Sequence, residues 1–269
     1  MAQFVKQLSQ WAIVAIAATM VSPRAAIARP LHEIQQIAQA TTVLIDGLNP
    51  GSGVIVAQDR ERYWVLTAQH VVATEDEYWI VAPDGAEYPL DYHSRKLFPE
   101  TDLALVPFRS RRTYDIATLG DYPQLAGSFP SIFVSGWQGS NIHQQPLHHR
   151  LTGGQLLPRQ YGLIHAQAPL SRGYGLFYTS TTEQGMSGGP ILDTEGQVIG
   201  IHGRSEGEEF SSSAGITRLH WGFSSGLPLP DNLTAQLRSP IRWRHQTQPP
   251  QPPRPSDIAS YEVLRATPQ

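Results

Sequence analysis

From Thr41 onward the chain is a succession of short β-type runs, each three to six residues long and separated by turn residues. Runs this short cannot form long helices, and frequent breaks keep successive strands close enough to pair with their neighbours. Thr42–Ile45, Gly53–Ala57 and Tyr63–Thr67 read as strands, with Asn49-Pro50-Gly51 breaking the first pair. Tyr78–Ala82 and Glu87–Leu90 flank Pro83-Asp84-Gly85, a hairpin signal. Leu103–Pro107, Ser131–Ser135, Gly175–Ser180, Pro190–Leu192 and Val198–His202 continue the pattern, which predicts an all-β sandwich or barrel. The 23 glycines and 22 prolines supply the turns such a fold needs.

Two helices are expected at the edges. In Leu31–Ala40, Leu31, Ile34, Ile37 and Ala38 recur at helical spacing, and Leu229–Leu237 has Asp231 or Asn232 available as a cap. Ahead of them, Lys6, the 11-residue apolar run Trp11–Val21 and Ala26-Ile27-Ala28 predict an export signal removed after Ala28. The run is too short to span a bilayer, which takes about 20 apolar residues, so no stable span is expected after removal. Residues 29–243 then form the folded body, and 244–269 a proline-rich tail that cannot bury enough surface to fold. The body is expected to divide near 115–130. The predicted destination is the periplasm or the exterior.

A formal net charge of −3 gives no basic face and argues against nucleic acid. The absence of cysteine excludes disulfides, thiolate catalysis and cysteine-ligated zinc. His143, His148 and His149 fall in one polar stretch without zinc-like spacing, so no metal and no cofactor are expected.

Three segments carry chemistry. In Gln184–Pro190 (QGMSGGP), Ser187 stands among glycines, as a nucleophile in a tight turn requires. Gly185 lets its own N–H and that of Ser187 point at one spot, where an oxyanion could be held. In Trp64–Val72 (WVLTAQHVV), His70 follows an apolar strand at once. In Thr101–Val106 (TDLALV), Asp102 opens an apolar strand, and carboxylates are rarely buried there without a partner. An aspartate holding a histidine in one tautomer beside a serine is a nucleophilic triad.

In the order His, Asp, Ser, separated by 32 and 85 residues, these segments resemble the signature blocks of the chymotrypsin-like serine peptidases. The blocks GSGVIV (51–56) and GQVIGIHG (196–203), with no cysteine, are similar to the bacterial disulfide-free branch that includes the HtrA/Deg peptidases. The resemblance covers about Leu31–Leu237. It implies two antiparallel six-stranded β-barrels with the triad in the cleft between them, His70 and Asp102 on the first and Ser187 on the second. It further implies an endopeptidase acting on proteins or peptides, although the PDZ domain that usually follows the peptidase in HtrA-type proteins is not expected here.

Two positions depart from the pattern. Met186 stands where trypsin-like zymogens carry an aspartate, so activation by a freed N-terminal amine is not expected, and Gln69 replaces a commoner alanine. The resemblance puts Thr181, Thr182, Ile201, His202 and Gly203 around the pocket for the P1 side chain. Thr181 occupies the place of the aspartate of the basic-specific enzymes. IGIH (199–202) with Thr182 is similar to the glutamyl endopeptidases, so acidic and small or aliphatic P1 residues both stay open. Two other functions fit the same residues: a peptide-binding protein that does not cut, and a latent oligomeric stress peptidase controlled through Gln138–Tyr174. The oligomeric state is not readable.

Overall fold

The structure is a computed structural model describing residues 28–121, 129–140, 145–160, 171–212, 215–237 and 239–246. The export signal through Ile27, His143 and the tail beyond Gln246 lie outside the described residues.

Helix α1 (Leu31–Thr41) opens the body and buries Leu31, Ile34, Ala38 and Thr41 on one face. The next strands are β1 (Thr42–Asp46), β2 (Gly51–Asp59), β3 (Arg62–Ala68), β4 (Trp79–Val81), β5 (Glu87–Pro89), β6 (Lys96–Leu97) and β7 (Leu103–Arg109). They form one antiparallel sheet in the order β5-β4-β1-β2-β3-β7-β6. Its curl brings the end of β5 to β7, where the Asp91 N–H donates to Pro107 O at 2.9 Å. Pro83-Asp84-Gly85 makes the predicted turn, with Gly85 at φ +76.

The second half adds β8 (Leu119–Asp121), β9 (Ser131–Ser140), β10 (Gln145–Leu157), β11 (Leu176–Tyr178), β12 (Pro190–Leu192), β13 (Val198–Ser212) and β14 (Gly215–Pro228). Strand β12 pairs with both β9 and β13, so β9-β10-β11-β14-β13-β12 closes into a six-stranded barrel. Strands β8 and β15 (Trp243–His245) attach outside it in parallel pairings. The chain is thus mostly β, in two barrel-like sheets with little helix. The C-terminal helix shrinks to one turn, α2 (Leu233–Gln236).

Two long strands were not expected. The stretch read as a control loop contains β10, and His148 and His149 pair with Gln138 and Trp137 of β9 instead of lying in a polar loop. Strand β14 pairs with β13 from Pro228 opposite Gly200 to Gly215 opposite Ser212. One apolar cluster includes first-sheet residues such as Val54, Leu66 and Leu105 together with Phe133, Leu192 and Ile201 of the second. A second cluster fills the closed barrel and includes Tyr178, Met186 and Ile191.

The half-to-half seam also holds polar groups. The Ser135 hydroxyl lies 2.7 Å from Thr42 Oγ1 and 2.8 Å from His149 Nε2. Burial strips hydration from the His149 ring and pushes its pKa down to about 4. Burial, with the charge of His70 as a smaller cause, pushes His202 down to about 3. Burial raises Asp193 to about 7.

Unfolded imidazoles titrate near 6.5. Each buried histidine therefore contributes stability that is whole above about pH 6.5 and drains as pH falls, because only the unfolded chain takes up the proton. Asp193 works in the opposite sense: its contribution is whole below its unfolded value of 3.8 and is lost as pH rises through about 7. Two protons against one make these three groups together cost the fold about 2 kcal/mol between pH 6.5 and 4.5. His149→Gln leaves one of each kind and flattens that slope. Urea unfolding at the two pH values checks both statements.

Candidate active site

Sheet register sets the first two residues. Strands β3 and β7 pair antiparallel with Ala68 opposite Leu103. His70 lies just past the end of β3, in the 3-10 turn Gln69–Val72, and Asp102 immediately precedes β7. Antiparallel register therefore forces them together. The Gln69 N–H donates to Asp102 O at 2.7 Å and the His70 N–H to Asp102 Oδ1 at 3.1 Å. The His70 ring completes the pairing, Nδ1 lying 2.7 Å from Asp102 Oδ2. A carboxylate only accepts, so Nδ1 carries the proton and Nε2 presents a lone pair.

Asp102 has further partners that the sequence did not reveal. The Tyr174 hydroxyl donates to Oδ2 at 2.7 Å, and an Arg172 guanidinium nitrogen lies 3.0 Å from Oδ1. Burial pushes the Asp102 carboxyl up, but the hydrogen bond and charge of His70, the Tyr174 hydroxyl and Arg172 together outweigh it and hold the group below the usual range. Asp102 is thus a buried anion with donors on both oxygens.

Ser187 comes from the other half. Gly185 and Gly188 sit at φ +91 and +87, where a Cβ would strain the backbone. A Cβ on Gly188 would lie 2.1 Å from Ser52 O and 2.2 Å from Thr67 Oγ1, so the turn is pressed against β2 and β3 beside His70. Ser52 clasps the turn across the seam. Its N–H donates to Ser187 O at 2.7 Å, its hydroxyl to Gly185 O at 2.8 Å, and its Oγ accepts from the Trp137 N–H at 2.8 Å. Sequence reading placed Ser52 only inside a glycine-rich block. The signal was there in its small neighbour Gly51, where a Cβ would meet Val71 Cγ1 at 2.4 Å.

The two peptide planes that carry the expected oxyanion donors are fixed from behind. Gln184 O accepts from the Gly139 N–H at 3.1 Å, and Met186 O from the Gly189 N–H at 3.0 Å. In a trans peptide the N–H points opposite to its carbonyl, so these bonds orient the N–H groups of Gly185 and Ser187. Among the described residues neither N–H donates to a backbone or side-chain acceptor. Met186 is fully buried in the barrel cluster. It works as an apolar anchor beneath the turn.

The Ser187 hydroxyl itself is turned aside. It donates to Gly203 O at 2.9 Å, and among the described residues it makes no hydrogen bond to His70. The structure brings His70 and Asp102 into contact and sets the Ser187 turn against the same cleft, with the hydroxyl bonded to Gly203 O.

Of the expected pocket residues, Thr181 is exposed and Thr182 buried. Thr182 Oγ1 lies 2.7 Å from Ser205 Oγ and 2.8 Å from Ser224 Oγ. Ile201 packs into the core shared by both halves, so its side chain is not available to a ligand. His202 is buried, its Nδ1 2.6 Å from the Tyr178 hydroxyl, and its backbone holds the serine turn through Gly188 N–H to His202 O at 2.8 Å. Gly203 O is the acceptor for Ser187.

Two β-barrel halves, with a His–Asp pair on one and a glycine-bound serine turn on the other, define the trypsin-fold class of proteins. The chain belongs to the trypsin-like peptidase domain family, whose model matches residues 51–201. It is 28% identical over 159 residues to the serine protease Do-like HtrA of Lactococcus lactis subsp. lactis, a match covering 58% of this chain and 38% of that protein. It is 30% identical over 155 residues to a probable periplasmic serine endoprotease, DegP-like, of Brucella suis, covering 56% of this chain and 27% of that protein. Serine protease Do-like HtrB of Bacillus subtilis is 26% identical over 168 residues, 61% of this chain and 35% of that protein. The matches therefore span well under half the length of these relatives.

Proposed function

We propose that the chain is a serine endopeptidase in which Ser187 attacks the scissile carbonyl of a protein or peptide. The observation that carries this is the 2.7 Å His70 Nδ1–Asp102 Oδ2 bond beside a glycine turn whose two N–H groups are aimed and unspent. Rotation about Ser187 χ1 takes the hydroxyl from Gly203 O toward His70. Nε2 accepts its proton as the Oγ–carbon bond forms, and Asp102 stabilises the imidazolium. The N–H groups of Gly185 and Ser187 receive the oxyanion. His70 then protonates the leaving amine, and water repeats the cycle to release the acid and restore Ser187.

The pocket favours a small uncharged P1 residue. Thr182, Ser205 and Ser224 satisfy one another's hydroxyls. His202 is held neutral, so an acidic side chain would first have to protonate a buried ring. Arg204 nearby is paired with the buried Glu206 at 2.9 Å and so offers no free cation. Cleavage profiling on a proteome-derived peptide library is expected to place most cuts after Ala, Ser, Val or similar residues. Cuts concentrated after Glu or Arg overturn the pocket assignment.

The leader pattern before Arg29 supports export, as does the word periplasmic in the name of the Brucella relative. Among the described residues no helix is long and apolar enough to cross a membrane.

A fluorophosphonate probe tests the central reading. It is expected to label Ser187 in the wild type and not in His70→Ala. A folded chain that never labels, with or without peptide, would be a binder on a peptidase fold. The rotamer of Ser187 supports a second reading, a resting form that reorders on binding, for which labelling accelerates when peptide is added.

A further inference from the structure

The segment Arg172–Tyr174 belongs to the second half of the chain, just ahead of β11, yet it closes around a residue of the first. The Asp102 N–H donates to Arg172 O at 2.8 Å, the Tyr174 hydroxyl reaches Oδ2, and the Arg172 guanidinium reaches Oδ1. The same guanidinium donates to Gln69 Oε1 at 3.2 Å, beside His70. Arg172 sits at φ +65 and Gly173 at +81, and a Cβ on Gly173 would meet Thr101 Cβ at 2.9 Å. The turn is therefore fitted tightly to Thr101–Asp102, and a left-handed arginine is kept where glycine would be the easier residue.

A neutral donor such as Tyr174 fixes the carboxylate. A cation does something more, because it offsets the charge that would otherwise favour a proton on His70. We infer that Arg172 is a positioning residue that clamps Asp102 from the opposite half and, by its charge, restrains His70 from holding a proton, extending the working range of the site toward acid. The inference rests on the peptidase reading for its consequence, but not for its electrostatics. Among the described residues, the other groups facing the pair are Tyr174, His202 and, behind the Tyr174 ring, Arg204 with Glu206. Arg204 stacks 4.3 Å from the ring centroid and is already neutralised by Glu206. His202 stays uncharged. Arg172 is thus the cation in direct contact with the acid.

The test uses the whole chain and three variants. The Cε1–H resonance of His70, assigned by its loss in His70→Ala, is followed by NMR against pH in wild type, Arg172→Gln and Arg172→Lys. The side chain of Arg172 is 53% exposed, so neither substitution opens the core. Removing the positive charge makes the imidazolium easier to form, so in Arg172→Gln the titration moves up by about one pH unit. Arg172→Lys keeps the charge and restores most of the wild-type position. The acid limb of fluorophosphonate labelling follows in the same direction and by the same amount. Superimposable titrations of wild type and Arg172→Gln overturn the inference, as does a lysine variant that behaves like the glutamine one. If the wild type never labels while the titrations separate as expected, the peptidase reading fails and the role of Arg172 stands.

Discussion

Ser187→Ala is expected to lower kcat/KM on a cleavable peptide by about 10⁵- to 10⁶-fold while leaving the fold intact. The residue is replaced by one that loses only an oxygen, and that oxygen's one hydrogen bond goes to Gly203 O, so stability changes little. His70→Ala is expected to cost about as much, and the double variant little more than either, because nucleophile and base act as one unit. Asp102→Asn should cost about 10⁴-fold, since an amide can donate to Nδ1 and reverse the tautomer that leaves Nε2 free. Peptide hydrolysis measured at saturating and limiting substrate checks all four. Losses that simply multiply in the double variant, or a Ser187→Ala chain that still cuts within tenfold of wild type, would show that the three side chains do not act together.

Gly188→Ala carries the second large effect, on stability. Two costs coincide there: a left-handed backbone, and a Cβ driven to within 2.1 Å of Ser52 O and 2.2 Å of Thr67 Oγ1. Gly85 separates them. It has a similar φ of +76, and a Cβ there meets nothing within 4 Å. Gly85→Ala should lose about 1 kcal/mol, the price of backbone strain alone. Gly188→Ala should lose about 3–4 kcal/mol, lowering Tm by roughly 10 °C, because the obstructing atoms are buried and one belongs to the backbone. Thermal unfolding of the two variants side by side decides the matter. Equal losses would mean that the serine turn is not pressed on β2 and β3.

How much of this could be read without coordinates follows from which interactions are local. Strands β1–β5 were legible because alternation, β-branched residues and turn signals all lie within a few positions of one another. His70 and Asp102 were legible because each sits at a strand boundary that the apolar pattern marks. Strands β10 and β14 were not. QPLHHRLTGGQLL and GITRLHWGFSSGLP carry glycines, prolines and histidines that local propensity assigns to loops, and only pairing with β9 and β13 makes them strands. The donors around Asp102 were invisible for a related reason. Arg172 and Tyr174 lie 70 and 72 residues away in sequence, and nothing in their own neighbourhood announces a carboxylate. The pairing of His70 with Asp102 was foreseeable. The bond from the Ser187 hydroxyl to Gly203 O was not, since a hydroxyl chooses among acceptors that only the finished fold supplies.

Ser52 shows what the seam between the halves accomplishes. One small residue of the amino-terminal half holds the carbonyls of Gly185 and Ser187, which belong to the carboxy-terminal half. The turn that presents Ser187 is thus braced from the opposite lobe. Prising the lobes apart would release that turn before any secondary structure melted, so loss of probe labelling at Ser187 should precede loss of fold on gentle denaturation.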